Sequence, residues 1–184
     1  MLKLITKQLT RNLNHIIDHL GLVDRQVLIS ANKVAPEDLA HIYNMVDCTV
    51  NISDAEGFGL STLESLSCGT PIIATMTGGL QEQITNGTEW FGFPLYPVSK
   101  SIIGSQDVPY IYEDRVSKDH FMSAMNKMYA LSREDRREMG LQGRQHVLDN
   151  YNFKDFSERW VNLMLKVYEN HLSWEDRKGY NGIY

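Results

Sequence analysis

Two glutamates, Glu56 and Glu64, flank a glycine loop whose residue types could bind a charged ligand that also carries hydroxyl groups. Gly57 and Gly59 permit loop conformations that a Cβ would forbid, and Ser61 follows at the start of a predicted helix. A helix start presents free backbone N–H groups and the positive end of the helix dipole, which favours an anion by about 0.3–1 kcal/mol. The carboxylates would repel a phosphate, but they can accept strong hydrogen bonds from sugar hydroxyls on either side of a pyrophosphate.

The same residues also fit a purely structural role. Ser61 and Glu64 have the spacing of a capping box, in which Glu64 would satisfy only the backbone N–H of Ser61. Glu56 would then be a solvated loop acid. The chemistry of these residues alone favours neither interpretation, because a glycine loop of this kind is a weak signal by itself.

The stretch 48–75 that carries these residues is predicted to fold as strand, glycine loop, helix, tight turn and strand. Its first strand, 49–53, is β-prone and too short for a helix. Gly69 ends the helix at the usual left-handed position, and Pro71 cannot continue it. The strand 71–75 follows as a buried apolar run. Two strands joined by a helix crossover run parallel, so the stretch is a βαβ unit.

Two further segments are predicted to lie at carboxyl ends of strands, where open parallel sheets bind ligands. The turn Gly78-Gly79 follows the strand 71–75, and its N–H groups would face the same ligand as the first glycine loop. Residues 32–34 follow a predicted strand at 27–31. An ordinary flexible loop remains the structural alternative for both segments.

The remaining periodicities predict helices and one more strand. Helices are expected at 2–20, from Pro36, around 80–84, after Ser117, from Ser132 and at 152–172. Apolar stripes predict which helical residues are buried: Leu39, Ile42, Tyr43 and Val46 in the second helix, and Phe156, Trp160, Leu163 and Val167 in the last. Residues 90–98 are predicted to form a last strand, which Pro94 places at a sheet edge, and 99–109 a loop.

The composition limits the classes of function. The 184 residues carry a net charge of −5 and are 42% hydrophobic, which is ordinary for a globular domain and argues against nucleic acid as a partner. No transmembrane segment or signal peptide is evident, and two cysteines, Cys48 and Cys68, favour a reducing cytoplasm. No metal site is predicted, because the sequence has no D-x-D triplet, and His15 and His19 lack a third ligand.

The central stretch resembles a known enzyme family. Glu56-Gly-Phe-Gly-Leu60 followed by Glu64 resembles the E-x7-E motif of GT4-like (group 1) retaining glycosyltransferases, and Gly78-Gly-Leu-Gln-Glu82 resembles the G-G-x-x-E that follows one strand later. The resemblance extends more loosely from about residue 15 to 170. It implies the nucleotide-sugar-binding, C-terminal half of a GT-B fold.

The resemblance implies roles for individual residues. Glu64 would hold ribose hydroxyls, and Glu56, the catalytic candidate, would hold hydroxyls of the donor sugar. Residues 32–34, which are Asn32, Lys33 and Val34, would lie against the base of a UDP- or GDP-linked sugar. The remaining donor-binding positions are Gly57, Phe58, Gly59, Leu60, Ser61, Thr62, Gly78 and Gly79. No cofactor is expected besides this substrate.

The predicted fold class is α/β, a Rossmann-like parallel sheet flanked by helices. One domain is expected over 1–172, followed by a tail at 173–184. The four predicted strands leave out the first strands of a doubly wound sheet. The basic pair that neutralises the donor pyrophosphate in the family would lie in that part, so the sequence predicts a truncated domain.

Three functions therefore remain. The first is the donor half of a transferase that needs an N-terminal acceptor domain or partner subunit to act on an unknown acceptor. The second is a non-catalytic nucleotide- or sugar-binding module, or a subunit of a split transferase. A sugar-nucleotide epimerase is the third, and the spacing of Glu56 and Glu64 fits it less well.

Overall fold

A computed structural model of the chain describes residues 7–22, 24–30 and 33–171. The chain divides into two compact units between Leu39 and Ala40. In the first unit, helix α1 covers Lys7–His19 and is followed by Gly21, which has a left-handed φ of +68°. The predicted helix 2–20 is confirmed over this range, and residues 2–6 lie outside the described part of the chain.

The predicted strand at 27–31 is wrong for residues 27–30, which form neither strand nor helix, while residue 31 is not described. An extended segment becomes a strand only where a neighbouring strand completes its hydrogen bonds. The strands of the described ranges pair with one another and not with this segment. Its apolar residues predicted a strand, but they carried no information about a pairing partner.

The central sheet has three parallel strands. They are β1 (Thr49–Asn51), β2 (Ile72–Thr75) and β3 (Gly92–Leu95), in the order β1-β2-β3. Val50 lies opposite Ile73, and Ala74 lies opposite Pro94. The predicted βαβ unit and the edge position of the proline-containing strand are confirmed. Pro94 is tolerated there because an edge strand can spare one N–H.

Helices pack on both faces of the sheet, and the remaining helices of the described residues have the following bounds. Helix α2 is Pro36–Met45, α3 is Leu60–Ser67, α4 is Leu80–Gln83, α5 is Lys118–Ala130, α6 is Arg133–Asn150 and α7 is Phe153–His171. Alternate residues of β2 point to opposite faces of the sheet. Ile72 and Ala74 join a core with Leu66 and Val147, the face of α3 and α6. Ile73 joins a second core with Ala124 and Met128 of α5.

Side-chain caps fix where two of these helices begin. The Ser117 hydroxyl accepts a hydrogen bond from the His120 backbone N–H at 3.0 Å, directly before α5. Ser132 and Asp135 form a complete capping box before α6. Both predicted helix starts are therefore confirmed, because a cap depends on residues only three positions apart.

An antiparallel hairpin replaces part of the predicted loop at 99–109. Its strands are β4 (Ser99–Ile102) and β5 (Tyr112–Arg115), with Ser99 opposite Arg115. The prediction failed because β4 reads Ser-Lys-Ser-Ile and is largely exposed, so it lacks the apolar alternation of a half-buried strand. Pairing with β5, not burial, makes it a strand.

The predicted buried stripes are wrong for α2 and α7. Ile42 and Val46 are each 42% exposed, and Trp160 and Phe156 are 51% and 57% exposed. Periodicity identifies the apolar face of a helix, but burial also requires something to cover that face. In the described part of the chain, no helix is long and apolar enough to cross a membrane.

Candidate functional site

The two predicted glycine turns lie in direct contact. The turn after β1 contains Gly57 and the turn after β2 contains Gly78 and Gly79, and the Gly57 carbonyl accepts a hydrogen bond from the Gly79 N–H at 2.9 Å. A Cβ on Gly78 would lie 1.7 Å from the Glu56 carbonyl oxygen, and one on Gly79 would lie 2.6 Å from that of Phe58. Only glycine permits this approach of backbone to backbone. The structure thus brings these predicted donor-binding positions together.

Helix α3 starts directly from the first turn without a side-chain cap. Gly59 precedes it with a φ of +87°, a left-handed conformation that favours glycine. The backbone N–H groups of Phe58 to Thr62 have no hydrogen-bond partner among the described residues. Such unpaired N–H groups at a helix start form an anion-binding arrangement. The side chains of Phe58, Leu60 and Ser61 are exposed at this surface.

Gln83 connects the two turns and was missed by the sequence analysis. Its side chain is fully buried, its Nε2 donates to the Phe58 carbonyl at 2.5 Å, and its Oε1 lies 2.6 Å from the hydroxyl of Thr62. The hydroxyl of Thr62, which is also fully buried, lies 2.8 Å from the Gly59 carbonyl. The one local signal was that Gln83 follows buried Leu80 by three positions and so shares its inward face.

Glu64 lies on α3, but it does not form the capping box with Ser61. Its Oε2 accepts a hydrogen bond of 3.0 Å from the hydroxyl of Tyr43, so the carboxylate points toward α2. Tyr43 is held in turn through its backbone carbonyl, which accepts a hydrogen bond from the Thr70 hydroxyl at 2.7 Å. Burial, followed by the bond to Glu64, raises the pKa of Tyr43 well above its usual range. The structural alternative for Glu64 is therefore not formed here.

The half-buried Glu56 follows a loop that the hairpin holds in place. Asp54 accepts the Asp114 backbone N–H at 2.7 Å through its carbonyl, and its carboxylate pairs with Arg115 at 2.8 Å. Arg115 also pairs with Glu113 at 2.8 Å. These contacts fix the backbone two residues before Glu56. No sequence pattern indicated these contacts, because 103–115 matched no pattern that we could interpret.

An apolar cavity of about 540 Å³ adjoins the first glycine turn. Phe58 and Leu63 line one side, and the beginning of α7, with Phe156, Arg159 and Trp160, lines the other. The ring of Phe58 packs edge-on against Tyr151, with the ring centroids 6.0 Å apart. The side chain that protrudes from the glycine turn is therefore supported by the segment between α6 and α7.

The predicted base-binding residues are not part of this assembly as described. Asn32 lies outside the described residues, Lys33 is exposed and Val34 is half-buried. They belong to the unit that ends at Leu39, whereas the glycine turns belong to the unit that begins at Ala40. Their contact with a base stays a prediction.

Among the described residues, neither the thiols of Cys48 and Cys68 nor a cluster of metal ligands forms a second candidate site. Burial raises the pKa of the Cys48 and Cys68 thiols, which lowers their reactivity as nucleophiles. Within residues 7–22, 24–30 and 33–171, no group of three or more His, Cys, Asp or Glu side chains is arranged to hold a metal ion.

A family profile spans the segment that carries this site. The profile of the family described as Glycosyl transferases group 1 matches residues 7–146. A D-inositol 3-phosphate glycosyltransferase from Paenarthrobacter aurescens is 41% identical over 76 residues, which are 41% of this chain and 18% of that protein. One from Mycobacterium marinum is 30% identical over 96 residues, which are 52% of this chain and 18% of that protein.

Solved structures of low sequence identity share the fold. A sucrose-phosphate synthase from Thermosynechococcus elongatus superposes with a TM-score of 0.65 at 23% identity, covering 87% of this chain and 34% of that one. A chain of the GtfA/B complex gives a TM-score of 0.62 at 22% identity, covering 87% of this chain and 28% of that one. The predicted class, a Rossmann-like α/β domain from a GT-B fold, is confirmed. The matched part is less than a fifth of those curated relatives and about a third of those structures.

Proposed function

Because the chain belongs to the glycosyl transferases group 1 family, we propose that it is the donor-binding domain of a retaining glycosyltransferase. The donor is a nucleotide diphosphate sugar, UDP- or GDP-linked, and no further cofactor takes part. The observation that carries this proposal is the contact between the two glycine turns at the start of α3, where unpaired N–H groups lie between Glu56 and Glu64.

Each part of this arrangement has a role in the proposed reaction. When the bond between the anomeric carbon and the diphosphate breaks, negative charge develops on the diphosphate. The N–H groups of Phe58 to Thr62 and the α3 dipole are placed to stabilise that charge. Glu56 accepts hydrogen bonds from hydroxyls of the donor sugar, and Glu64 accepts them from the ribose. Asn32, Lys33 and Val34 contact the base.

The acceptor is bound outside the described site in this proposal. Transfer requires both substrates to be held in line, so an N-terminal GT-B domain or a partner subunit supplies the acceptor side. The fold neighbour from the GtfA/B complex, which its title describes as an assembly, supports considering a partner subunit.

We place the protein in the cytoplasm, because Cys48 and Cys68 are both free thiols.

A second candidate is a non-catalytic nucleotide-binding module or one subunit of a split transferase. The fold neighbour from the GtfA/B complex, whose title describes an assembly, favours the split transferase. Both candidates predict nucleotide binding. They differ in whether transferase activity arises when an acceptor-binding partner is added.

Thermal melting of the purified chain with UDP, GDP, ADP and their sugars tests the binding claim. One nucleotide at ~100 times its Kd is expected to add about 2.7 kcal/mol of stability. At roughly 2–4 °C per kcal/mol for a chain of this size, Tm rises clearly. A cooperative melt that none of these nucleotides shifts would contradict the proposal.

The variant Glu64→Gln locates the binding site. Loss of a charge-assisted bond, worth about 1.5–3 kcal/mol, is expected to weaken the nucleotide by about 10- to 100-fold. The matched control is Glu158→Gln, the same change at an exposed position of α7, which should bind like the unchanged protein. Equal nucleotide affinities of the two variants would show that Glu64 does not bind the ribose.

A further inference from the structure

Two consecutive peptide units of the first glycine turn are held by the second turn through their carbonyl groups. The Gly57 carbonyl accepts from the Gly79 N–H at 2.9 Å, and the Phe58 carbonyl accepts from Gln83 Nε2 at 2.5 Å. In a trans peptide the C=O and the N–H of one unit point in opposite directions. Because both carbonyls point toward the second turn, the N–H groups of Phe58 and Gly59 point away from it, on the side where they have no partner.

The Phe58 carbonyl and the Thr62 hydroxyl together fix which way the Gln83 amide points. The Phe58 carbonyl can only accept a hydrogen bond, so the NH₂ group of Gln83 must face it. The Gln83 oxygen then faces the Thr62 hydroxyl at 2.6 Å, and that hydroxyl donates to it. Both side chains are 0% exposed, so water cannot replace either bond. A buried amide without such partners would be strongly unfavourable.

We propose that Gln83 is a positioning residue for the diphosphate of the donor. By holding the peptide between Phe58 and Gly59, it keeps the Gly59 N–H directed at the position of the leaving diphosphate. This inference rests on the proposed function, because it requires a diphosphate at the start of α3. Gln83 is buried and does not touch the ligand, but it orients the N–H groups that contact the ligand.

The variant Gln83→Glu reverses the hydrogen-bonding character of this position when the introduced acid is ionised. An ionised carboxylate offers only acceptors to the Phe58 carbonyl, so at a pH that ionises the acid the peptide is expected to rotate and turn the Gly59 N–H inward. The variant Gln83→Met keeps a similar size and removes both bonds. The matched control is Gln106→Glu, which places the same charge at an exposed loop position away from both glycine turns.

The decisive measurement is the affinity for a nucleoside diphosphate relative to its nucleoside, using the base selected by the melting panel. Titration calorimetry gives the first affinity and saturation-transfer NMR gives the second. We expect Gln83→Glu and Gln83→Met to lose at least 10-fold in diphosphate affinity, while nucleoside affinity stays within about twofold. Gln106→Glu should leave the ratio of the two affinities unchanged. A residue that only stabilised the fold would lower both affinities together.

The outcomes separate this inference from the proposed function. If the unchanged chain binds the nucleotide and the folded Gln83 variants keep the same ratio, Gln83 does not position the diphosphate, and the donor site stands. If the unchanged chain binds none of the nucleotides, both proposals are overturned. Should the Gln83 variants fail to fold, Thr62→Val decides, because it removes the hydroxyl that orients Gln83. An unchanged ratio in Thr62→Val would likewise overturn the inference.

Discussion

The hydroxyl of Tyr43 donates to Glu64 across 3.0 Å, and this bond determines where the carboxylate points before any ligand is present. A nearby acceptor group and burial both favour the neutral phenol, so the pKa of Tyr43 is raised in the folded protein. In the unfolded chain a tyrosine titrates near its ordinary value of about 10. The bond therefore links the stability of the chain to pH.

The sign of that linkage gives a prediction for Tyr43→Phe. Because the folded pKa is raised, the stability from Tyr43 is complete below pH ~10 and is lost as pH rises toward the folded pKa. At pH 8 the variant should be less stable by about 0.5–1.5 kcal/mol, and the difference should shrink above pH ~10. Urea unfolding across this range measures it, with the exposed Tyr112→Phe as control. Parallel stability curves for the variant and the unchanged protein would contradict the assignment.

How well single residues could be predicted depended on how local their partners are. The glycines at 59, 78 and 79 were identifiable because a left-handed φ or a close backbone contact restricts the residue type at each position. Gln83 and Tyr43 were not, because each acts on a partner more than 20 positions away on another element. The spacing of Gln83 from Leu80 indicates an inward face, but no local pattern identifies the partner of such a glutamine.

At the scale of elements, α3 and α6 approach closely where Gly140 meets Gly69. A Cβ on Gly140 would lie 1.9 Å from the Gly69 carbonyl oxygen. Close-packed protein interiors have little free space into which these atoms could shift. Helix propensity alone predicts that Gly140→Ala stabilises α6 by about 1 kcal/mol. The structure predicts the opposite sign, a loss of about 1–3 kcal/mol, because overpacking separates the helices.

Chemical denaturation of Gly140→Ala measures this competition directly. Arg137→Ala, an exposed change in the same helix, reports the effect of propensity without the packing conflict. We expect the denaturation midpoint of Gly140→Ala to fall. The free energy of unfolding of Arg137→Ala should stay within about 0.5 kcal/mol of that of the unchanged protein. A rise in the midpoint for Gly140→Ala would mean that the two helices can separate without cost.

Elements with local signals were predictable, and those that depend on distant partners were not. The βαβ unit and the Ser132 capping box follow from residues close in sequence, and both are present. The segment 27–30 had the composition of a strand but lacks a pairing strand in the described chain, and β4 had a partner without the composition. Sequence patterns describe one element at a time, whereas a sheet is a property of at least two.

At the scale of the whole molecule, the apolar stripe of α7 shows the same limit. Its side chains follow the spacing of a buried helix face, yet Trp160 is 51% exposed and lines an open cavity beside Phe58. The pattern identified the face correctly. What covers a face depends on parts of a structure that a single stretch of sequence does not contain.

The proposed function also makes a prediction for the molecule as a whole. The proposed function assigns the described site to a diphosphate and sugar hydroxyls, and it places the acceptor on another domain or subunit. Fixing two reactants in line is worth effective concentrations of about 10⁵–10⁸ M, and binding the donor alone provides none of it. We therefore expect the chain to bind its nucleotide sugar and return it intact, with no transfer above the rate in buffer.

Proton NMR of the anomeric signal distinguishes the outcomes, because it follows the donor, free sugar and any product with its stereochemistry. Donor that persists in the presence of the chain, together with a raised Tm, agrees with a binding domain that needs a second part. Activity that returns with an added acceptor-binding partner and is lost again in Glu56→Gln would assign the chain to a divided transferase. Retained-configuration product formed by the chain alone would contradict the prediction, since the acceptor would then have to bind among the residues described for this chain.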